Sequence, residues 1–415
     1  MKIAGVDIRL DESMGLQTPV PERPMLFRPY PLRGVVARNR IILGPMSQYL
    51  AVDGAPTDWH LVHLGQFAMG GAGIVFVEET AVEARGRRTL NCTGLYTRQQ
   101  AELFRRTTNF IRDLGALPAI QLGHGGRRAA VRAPWEGRAP LAPAAPAGWS
   151  LISSSAEPHG PGRRKPEALD AQQIRTHIAQ WAHAAELAVD AGFDVLEIHG
   201  AHGYLINQFL SSVANRRTDG YGGDLAGRMR FALEIVEAIR KVWPKDRPLF
   251  FRASVVDGKG GHWDMDDTLC FARELRDREV DVMACSSGGL TGSSDLPSVP
   301  RVPGYHVPYS EAVRRETGLA TVGLGLITEP QQADDLLTAG QADLIAVARE
   351  MLVDPYWPVH AARALGVQDW INLLPPVYAN RLLPRETERA QFFEATQKPA
   401  PWRRGQNLPA RSEQT

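Results

Sequence analysis

One unit recurs through this chain: a short apolar or β-branched run bounded by Gly, Pro or Asp, then a stretch with helical spacing. The runs are 41–43, 73–77, 119–122, 195–198, 249–252, 282–285, 321–324 and 344–347. Helical spacing is clearest in 99–114 and 170–191, and it recurs in 230–242, 266–278, 309–317 and 330–339. Strict alternation argues for parallel strands, because parallel neighbours need a crossover long enough to hold a helix. Eight such units predict an α/β fold of the closed (β/α)8 TIM-barrel type. An open doubly wound sheet is the alternative, but no Gly-x-Gly-x-x-Gly follows the first run. At 415 residues with 44% hydrophobic content the chain can fill a large core, and barrels often reach such lengths as one domain.

Two segments break the rhythm. Residues 123–169 and 288–308 are rich in Gly, Pro and small residues, and they are too long for simple connections. They are expected to be elaborated loops over the C-terminal mouth of the barrel. The domain reading is an extended surface lead-in over 1–31, a barrel over 32–366, and an extension over 367–415 with helix-like pieces and a disordered end.

Net charge is +1, so no basic field calls for nucleic acid or a membrane surface. The three cysteines, Cys92, Cys270 and Cys285, lack metal-cage spacing. Their odd, small number and an N-terminus without the apolar core of a signal peptide lead to an expected cytoplasmic location. The expected partner is a small-molecule substrate.

Catalytic groups of such barrels sit at the C-terminal ends of strands. The run 195–198 ends in His199, His202 and Tyr204, two imidazoles and a phenol that can hydrogen-bond, polarise and move protons. The first run ends in Pro45-Met46-Ser47-Gln48-Tyr49. Loops after the seventh and eighth strands commonly build a phosphate site. Gly325 there lets the backbone approach closely, and Arg349 offers a planar fork to phosphate oxygens. Gln121 and Arg252 add an amide and a fixed positive charge. That pair suits a heteroaromatic ring with donors and acceptors that gains negative charge on reduction, as a flavin does. The pairs His60/His63 and His199/His202 lack a third ligand at useful spacing, so no metal is expected.

Several of these motifs together carry a family resemblance. Pro45-Met-Ser-Gln-Tyr49, Pro56-Thr-Asp-Trp-His60, Gln121-Leu-Gly-His-Gly-Gly-Arg127, Glu197-Ile-His-Gly-Ala-His-Gly-Tyr-Leu205, Asp219-Gly-Tyr-Gly-Gly223, Gly325-Leu-Ile-Thr328 and Asp354-Pro-Tyr-Trp357 resemble the old yellow enzyme family. The Pro-Met-x-Gln-Tyr form is similar to the bacterial, thermophilic-like branch. The resemblance spans about 32–366. It implies an FMN-dependent, NADPH- or NADH-oxidising ene-reductase. Pro45, Met46, Ser47, Gln121, Arg252, Gly325, Ala348 and Arg349 would line FMN. His199 and His202 would bind the substrate oxygen, Tyr204 would donate the proton, and Tyr49 would face the substrate. The alternative within the same fold is a pathway-specific flavin reductase or desaturase acting on an aromatic, polycyclic or acyl-CoA-linked intermediate. The chain departs from the family pattern at Ser47 (usually Cys in this branch), Ser212 (usually Pro), Gly227 (usually Asn) and Ala348 (usually Gly). A homo-oligomer, dimer or tetramer, is also implied, with Arg381 and Arg385 as candidates to reach a neighbouring subunit.

Overall fold

The computed structural model describes residues 2–3, 6–7, 23–259, 262–291 and 299–396. Most of the expected lead-in and the end of the C-terminal extension lie outside the described residues. Eight parallel strands close into a barrel: β1 (Ile41–Leu43), β2 (Ile74–Ala81), β3 (Leu117–Gly123), β4 (Val195–Gly200), β5 (Leu249–Ser254), β6 (Val282–Ser286), β7 (Ala320–Gly323) and β8 (Leu344–Val347). Each strand pairs with its sequence neighbours, and β8 closes on β1 through Ile345↔Ile41 and Val347↔Leu43. The expected (β/α)8 barrel is therefore the fold.

The strands read as continuous apolar runs because both faces are buried. Along β1, Ile42 points into the barrel while Ile41 and Leu43 face the helices. Along β2, Ile74 and Phe76 point inward while Val75 and Val77 face out. The outer layer comprises α1 (Asp58–Met69), α2 (Arg98–Asp113), α3 (Ala171–Asp190), α4 (Leu205–Leu210), α5 (Leu225–Val242), α6 (Met265–Asp277), α7 (Val307–Thr317) and α8 (Pro330–Thr338). After β8 come α9 (Arg349–Val353), α10 (Trp357–Ala364) and α11 (Pro376–Thr396). No helix among the described residues is long and apolar enough to cross a membrane. Arg381 and Arg385 both lie on α11, and Arg385 pairs with Glu386.

Three local features differ from the sequence expectation. A hairpin that the expected strands do not include stands where the lead-in meets the barrel. Tyr30–Leu32 and Val35–Ala37 form an antiparallel hairpin whose Leu32 and Ala37 join the inward cluster with Ile42, Ile74 and Leu344, sealing the N-terminal end of the barrel. The Pro- and Arg-rich surroundings obscure that short apolar alternation. Helix α1 has no counterpart among the expected helices. Its buried face includes His60, His63 and Gly65, so the apolar period is weak. Its N-terminus is nonetheless well capped, with the Thr57 N–H donating to His60 Nδ1 at 2.9 Å. Strand β2 runs to Ala81, beyond its expected end at Val77, and its register shifts between Val77 and Glu79. Such a bulge re-aims side chains. Here Glu78 faces His60 and the Gln48 N–H, whereas Glu79 faces Arg88.

Over the mouth, the connection after β3 carries 3-10 turns at Gly126–Arg128 and Pro134–Glu136 and a parallel ribbon of Ile152–Ser153 with Glu167–Ala168. This is the elaborated loop expected from the composition.

Candidate active site

The barrel interior changes character along the strands. Ala119, Val195 and Phe250 form an apolar layer. Two residues further on, the same period-two alternation brings Gln121, Glu197 and Arg252 inward. Gln121 Nε2 donates to Glu197 Oε1 at 2.7 Å. Burial pushes the Glu197 carboxyl up, against the pull of Arg252 and the Gln121 hydrogen bond. Arg252 sits beside His199 in the β4–β5 register, and its buried Nε has no hydrogen-bond partner. A cation with an unsatisfied donor at a barrel mouth is a ready partner for an anionic or carbonyl-rich ligand.

His199 ends β4, and its Nδ1 accepts the Ala201 N–H at 3.2 Å, which leaves its ring proton on Nε2. His199 Nε2 lies 3.2 Å from His202 Nδ1, and His202 Nε2 lies 2.6 Å from Ser286 Oγ. The imidazoles thus form a relay between strands β4 and β6. Burial, with Arg252 as the next cause, holds both well below the usual histidine value, so both are neutral at pH 7. His202 has a left-handed backbone (φ 59°). It is clamped by the Ser254 Oγ, which accepts its N–H at 2.9 Å, and by Gly289, where a Cβ would lie 2.3 Å from the His202 carbonyl. Non-glycine residues in that region cost energy and persist where the surroundings over-determine them.

Tyr204 caps the start of α4, with its ring 5.0 Å from that of His199. Its hydroxyl oxygen accepts from Arg88 Nη1 at 2.8 Å. The same guanidinium donates to Glu79 Oε2 at 3.0 Å and to Ser47 Oγ, and lies 5.5 Å from the Tyr49 ring centroid. Arg88 therefore gathers Ser47, Tyr49 and Tyr204, which come from two distant strand ends. Sequence reasoning missed it. The available signal was the basic run Arg85-Gly-Arg-Arg88 shortly after the Glu78-Glu79 pair.

Two cavities open at the mouth. The first, about 440 Å³, is lined by residues that include Pro45, His202, Arg252, Gly325, Ala348 and Arg349. All of these except His202 are among the residues expected to hold the cofactor. Gly325 has φ +108°, and a Cβ there would strike the Tyr305 ring at 2.9 Å, so only glycine lets the chain pass. Ala348 has φ −128°, a value that needs no glycine, so the departure there is accommodated. Sequence reasoning missed His306, which also lines this cavity and faces Ser287 Oγ at 2.9 Å. Met46, by contrast, turns toward α1 and lines a small crevice with His60, His63 and Leu64. Gln121 lies deeper, on Glu197. The first cavity fits a flavin mononucleotide: a guanidinium with an unpartnered Nε inside the barrel, an exposed one in Arg349, and glycine backbone after β7.

The second cavity, about 640 Å³, contains Tyr49 and Tyr204 and is walled mainly by the 124–163 loop. A third polar cluster, Glu83, His124 and His177, brings three metal-type ligands together under the mouth. Arg85 Nη2 lies 3.0 Å from His177 Nε2, so a cation already occupies that side. Of the histidines paired in the sequence, His60 caps α1, His63 packs its ring between Trp59 and Phe67, and His199 and His202 bond to each other.

An eight-stranded parallel barrel with these groups at the C-terminal ends of its strands defines a cofactor-dependent barrel oxidoreductase. The family model described as NADH:flavin oxidoreductase / NADH oxidase matches residues 25–368, and the chain belongs to that family, the old yellow enzyme and NADPH dehydrogenase family. It is an FMN-dependent NAD(P)H oxidoreductase. An NADPH dehydrogenase of Geobacillus sp. (strain WCH70) is 39% identical over 345 residues, 82% of this chain and 95% of that protein. One from Bacillus cytotoxicus is 38% identical, covering 83% and 93%. Among solved structures, morphinone reductase shares the fold at a TM-score of 0.69 and 24% identity, over 84% of this chain and 91% of that one. A 2-naphthoyl-CoA reductase complex does so at 0.73 and 22%, over 82% of this chain but 52% of that one.

Proposed function

We propose that the chain is an ene-reductase for activated alkenes of the enone, maleimide or nitroalkene type, with NADPH as electron donor and Tyr204 as proton donor. The observation that carries this reading is the placement of the Tyr204 hydroxyl, held by Arg88 at 2.8 Å beside two neutral imidazoles. Pro45, Arg252, Gly325, Ala348 and Arg349 would hold FMN, with Ser47 and Gln121 at its margins, and the bound flavin would supply hydride drawn from NADPH to the β carbon of the alkene.

The chain's own work concerns charge and the proton. As the β carbon accepts hydride, negative charge builds on the carbonyl or nitro oxygen. His199 carries its ring proton on Nε2, because Nδ1 accepts the Ala201 N–H, and this N–H faces His202 Nδ1 at 3.2 Å. A substrate oxygen entering between the rings would take that N–H, and His202 could then also donate from Nδ1, with the Ser286 hydroxyl donating into Nε2. Both imidazoles then turn N–H groups on one oxygen, each contributing about 1.5–3 kcal/mol to an anionic acceptor. Ser286 is thus a positioning residue that sets the His202 tautomer. Tyr204 gives its proton to the α carbon, and the Arg88 guanidinium stabilises the oxygen as charge develops on it. Ser47, whose Oγ accepts from Arg88, would keep its own hydroxyl hydrogen free to donate to bound FMN.

Tyr204→Phe tests the reading. In anaerobic rapid mixing, reduction of the bound flavin by NADPH should keep the parent rate, while reoxidation by 2-cyclohexenone should slow by about 10²-fold or more. Reoxidation at the parent rate would remove Tyr204 from the role. A colourless protein without affinity for FMN would remove the reading as a whole.

A further inference from the structure

The second cavity has a charge that reduction of a neutral enone does not require. Its lining includes Arg88, Arg127, Arg128, Arg132, Arg138 and Arg163, and no carboxylate among the described residues. Arg88 is matched by Glu79 at 3.0 Å, and Arg132 faces Glu136 at 3.7 Å. The other four have no carboxylate within salt-bridge distance among the described residues. Arg127 donates to the carbonyl oxygens of Glu157 at 3.2 Å and Leu290 at 2.7 Å, and its buried Nε has no partner. Glu157 adds a weak opposing field. Arg128 donates to the carbonyls of His202 and Gly289 and lies over the Tyr204 ring at 5.3 Å. Arg163 donates to the Arg138 carbonyl at 2.8 Å. These carbonyls fix where the guanidiniums sit without cancelling their charge.

The surroundings register the field. Burial lowers Arg128 from its ordinary value, and Arg88, Arg138 and Arg163 push in the same direction. His159, in the same wall, is pushed down to about 4 by burial, with Arg128 the next cause. Four like charges around one cavity repel one another, and water alone rewards no such gathering. An oxyanion does, because planar guanidinium forks match carboxylate and phosphate oxygens. The series also has a direction. Arg127 is buried and Arg128 half-buried near Tyr204, whereas Arg138 and Arg163 are exposed at the rim.

Resting on the ene-reductase reading, we infer that the alkene reduced here is itself anionic, with carboxylate or phosphate oxygens on the arm that extends from Tyr204 toward the Arg138–Arg163 rim. NADPH carries the same kind of oxygens, so the two sources of oxyanion must be separated by experiment.

The test uses the FMN-loaded enzyme and maleimides that share one reacting double bond: neutral N-ethylmaleimide, and the anionic maleimidoacetic and maleimidohexanoic acids. At low salt, kcat/KM should favour the acids by about tenfold, and high salt should shrink the preference. In the Arg138→Gln, Arg163→Gln double variant the ratio of acid to neutral should fall toward one. These rim residues are exposed, so the variant should fold. A parent ratio at or below one, or a ratio unchanged in the double variant, overturns the inference. A double variant that slows flavin reduction by NADPH but not by NADH, with the ratio intact, assigns the arginines to the donor and also overturns it. Absence of turnover with every maleimide, neutral included, would instead bring down the ene-reductase reading and this inference with it.

Discussion

The two cavities at the barrel mouth share one short segment and little else. The exit of β4 gives His202 to the first and Tyr204 to the second. The first is otherwise built from the exits of β1, β5, β6, β7 and β8, with one intruding loop that brings Tyr305 and His306. Most of its positions are set by strand register, and its cations are spread apart, Arg252 and Arg349 at strand exits and Arg301 on the intruding loop. The second is built from the 124–163 loop and from Arg88, and its cations crowd one wall. Strand exits hold a cofactor whose shape does not vary, while loops can change the ligand presented to it. Arg88, in the second cavity, reaches back to the β1 exit through Ser47, next to Pro45 of the first, while holding Tyr204 on its other side.

The largest expected effect comes from cutting that tie. Arg88→Met leaves the Glu79 carboxylate buried without its cation, and Glu79 Oε1 already lacks a partner. Breaking a buried pair in this way costs about 3–5 kcal/mol, to be read from urea denaturation of the apoprotein. The Arg88→Met, Glu79→Gln double variant should recover part of that loss. A single variant as stable as the parent would mean that Arg88 is not what holds this wall.

A smaller effect separates the cavities. Arg252→Met should weaken FMN binding by about 10- to 100-fold, as expected for the loss of one charged interaction. Arg138→Gln should leave FMN binding where it is. Titration of apoprotein by flavin fluorescence measures both. Equal losses in the two variants would erase the distinction between a cofactor cavity and a substrate cavity.

The smallest effect compares two histidines. His159 in the second cavity is lowered to about 4 by burial and then by Arg128, Arg127 and Arg163. His306 in the first is lowered to about 3 by burial and then by Arg252 and Arg301. Arg163→Gln removes a cation near His159, so His159 should take its proton at a higher pH while His306 stays put. NMR titration of the imidazoles checks this. The sign extends to stability. The unfolded chain binds the proton near 6.5, so His159 withdraws stability as pH falls from there toward about 4. Raising the folded value narrows that window from its lower edge. A fall in the His159 value would show that the arginine field is not what depresses it.

Much of the first cavity is legible in the order of residues along the chain. Period-two alternation dictates which residue of a strand faces inward, and a parallel barrel delivers every strand exit to one rim. Pro45, Arg252, Gly325, Ala348 and Arg349 follow from those two rules, and His199, His202 and Tyr204 from the same logic at β4. Helix α1 and the closing hairpin at 30–37 are hidden because their buried faces mix apolar with polar or proline neighbours, which flattens the periodic signal.

Short-range periodicity thus dictates the barrel, its polar rim and the residues at the strand exits, because each of these depends on spacing within a single segment. How side chains meet across elements is a different matter. The bulge in β2 aims Glu79 at Arg88 and Glu78 at His60, and the sequence does not say which of the two adjacent acids takes which partner. The arginines of the second cavity are scattered from 88 to 163, and a net charge of +1 gives no hint that they converge. The relay from His199 through His202 to Ser286 and the unneutralised arginine wall depend on distances between segments far apart in the chain, and packing alone sets those distances.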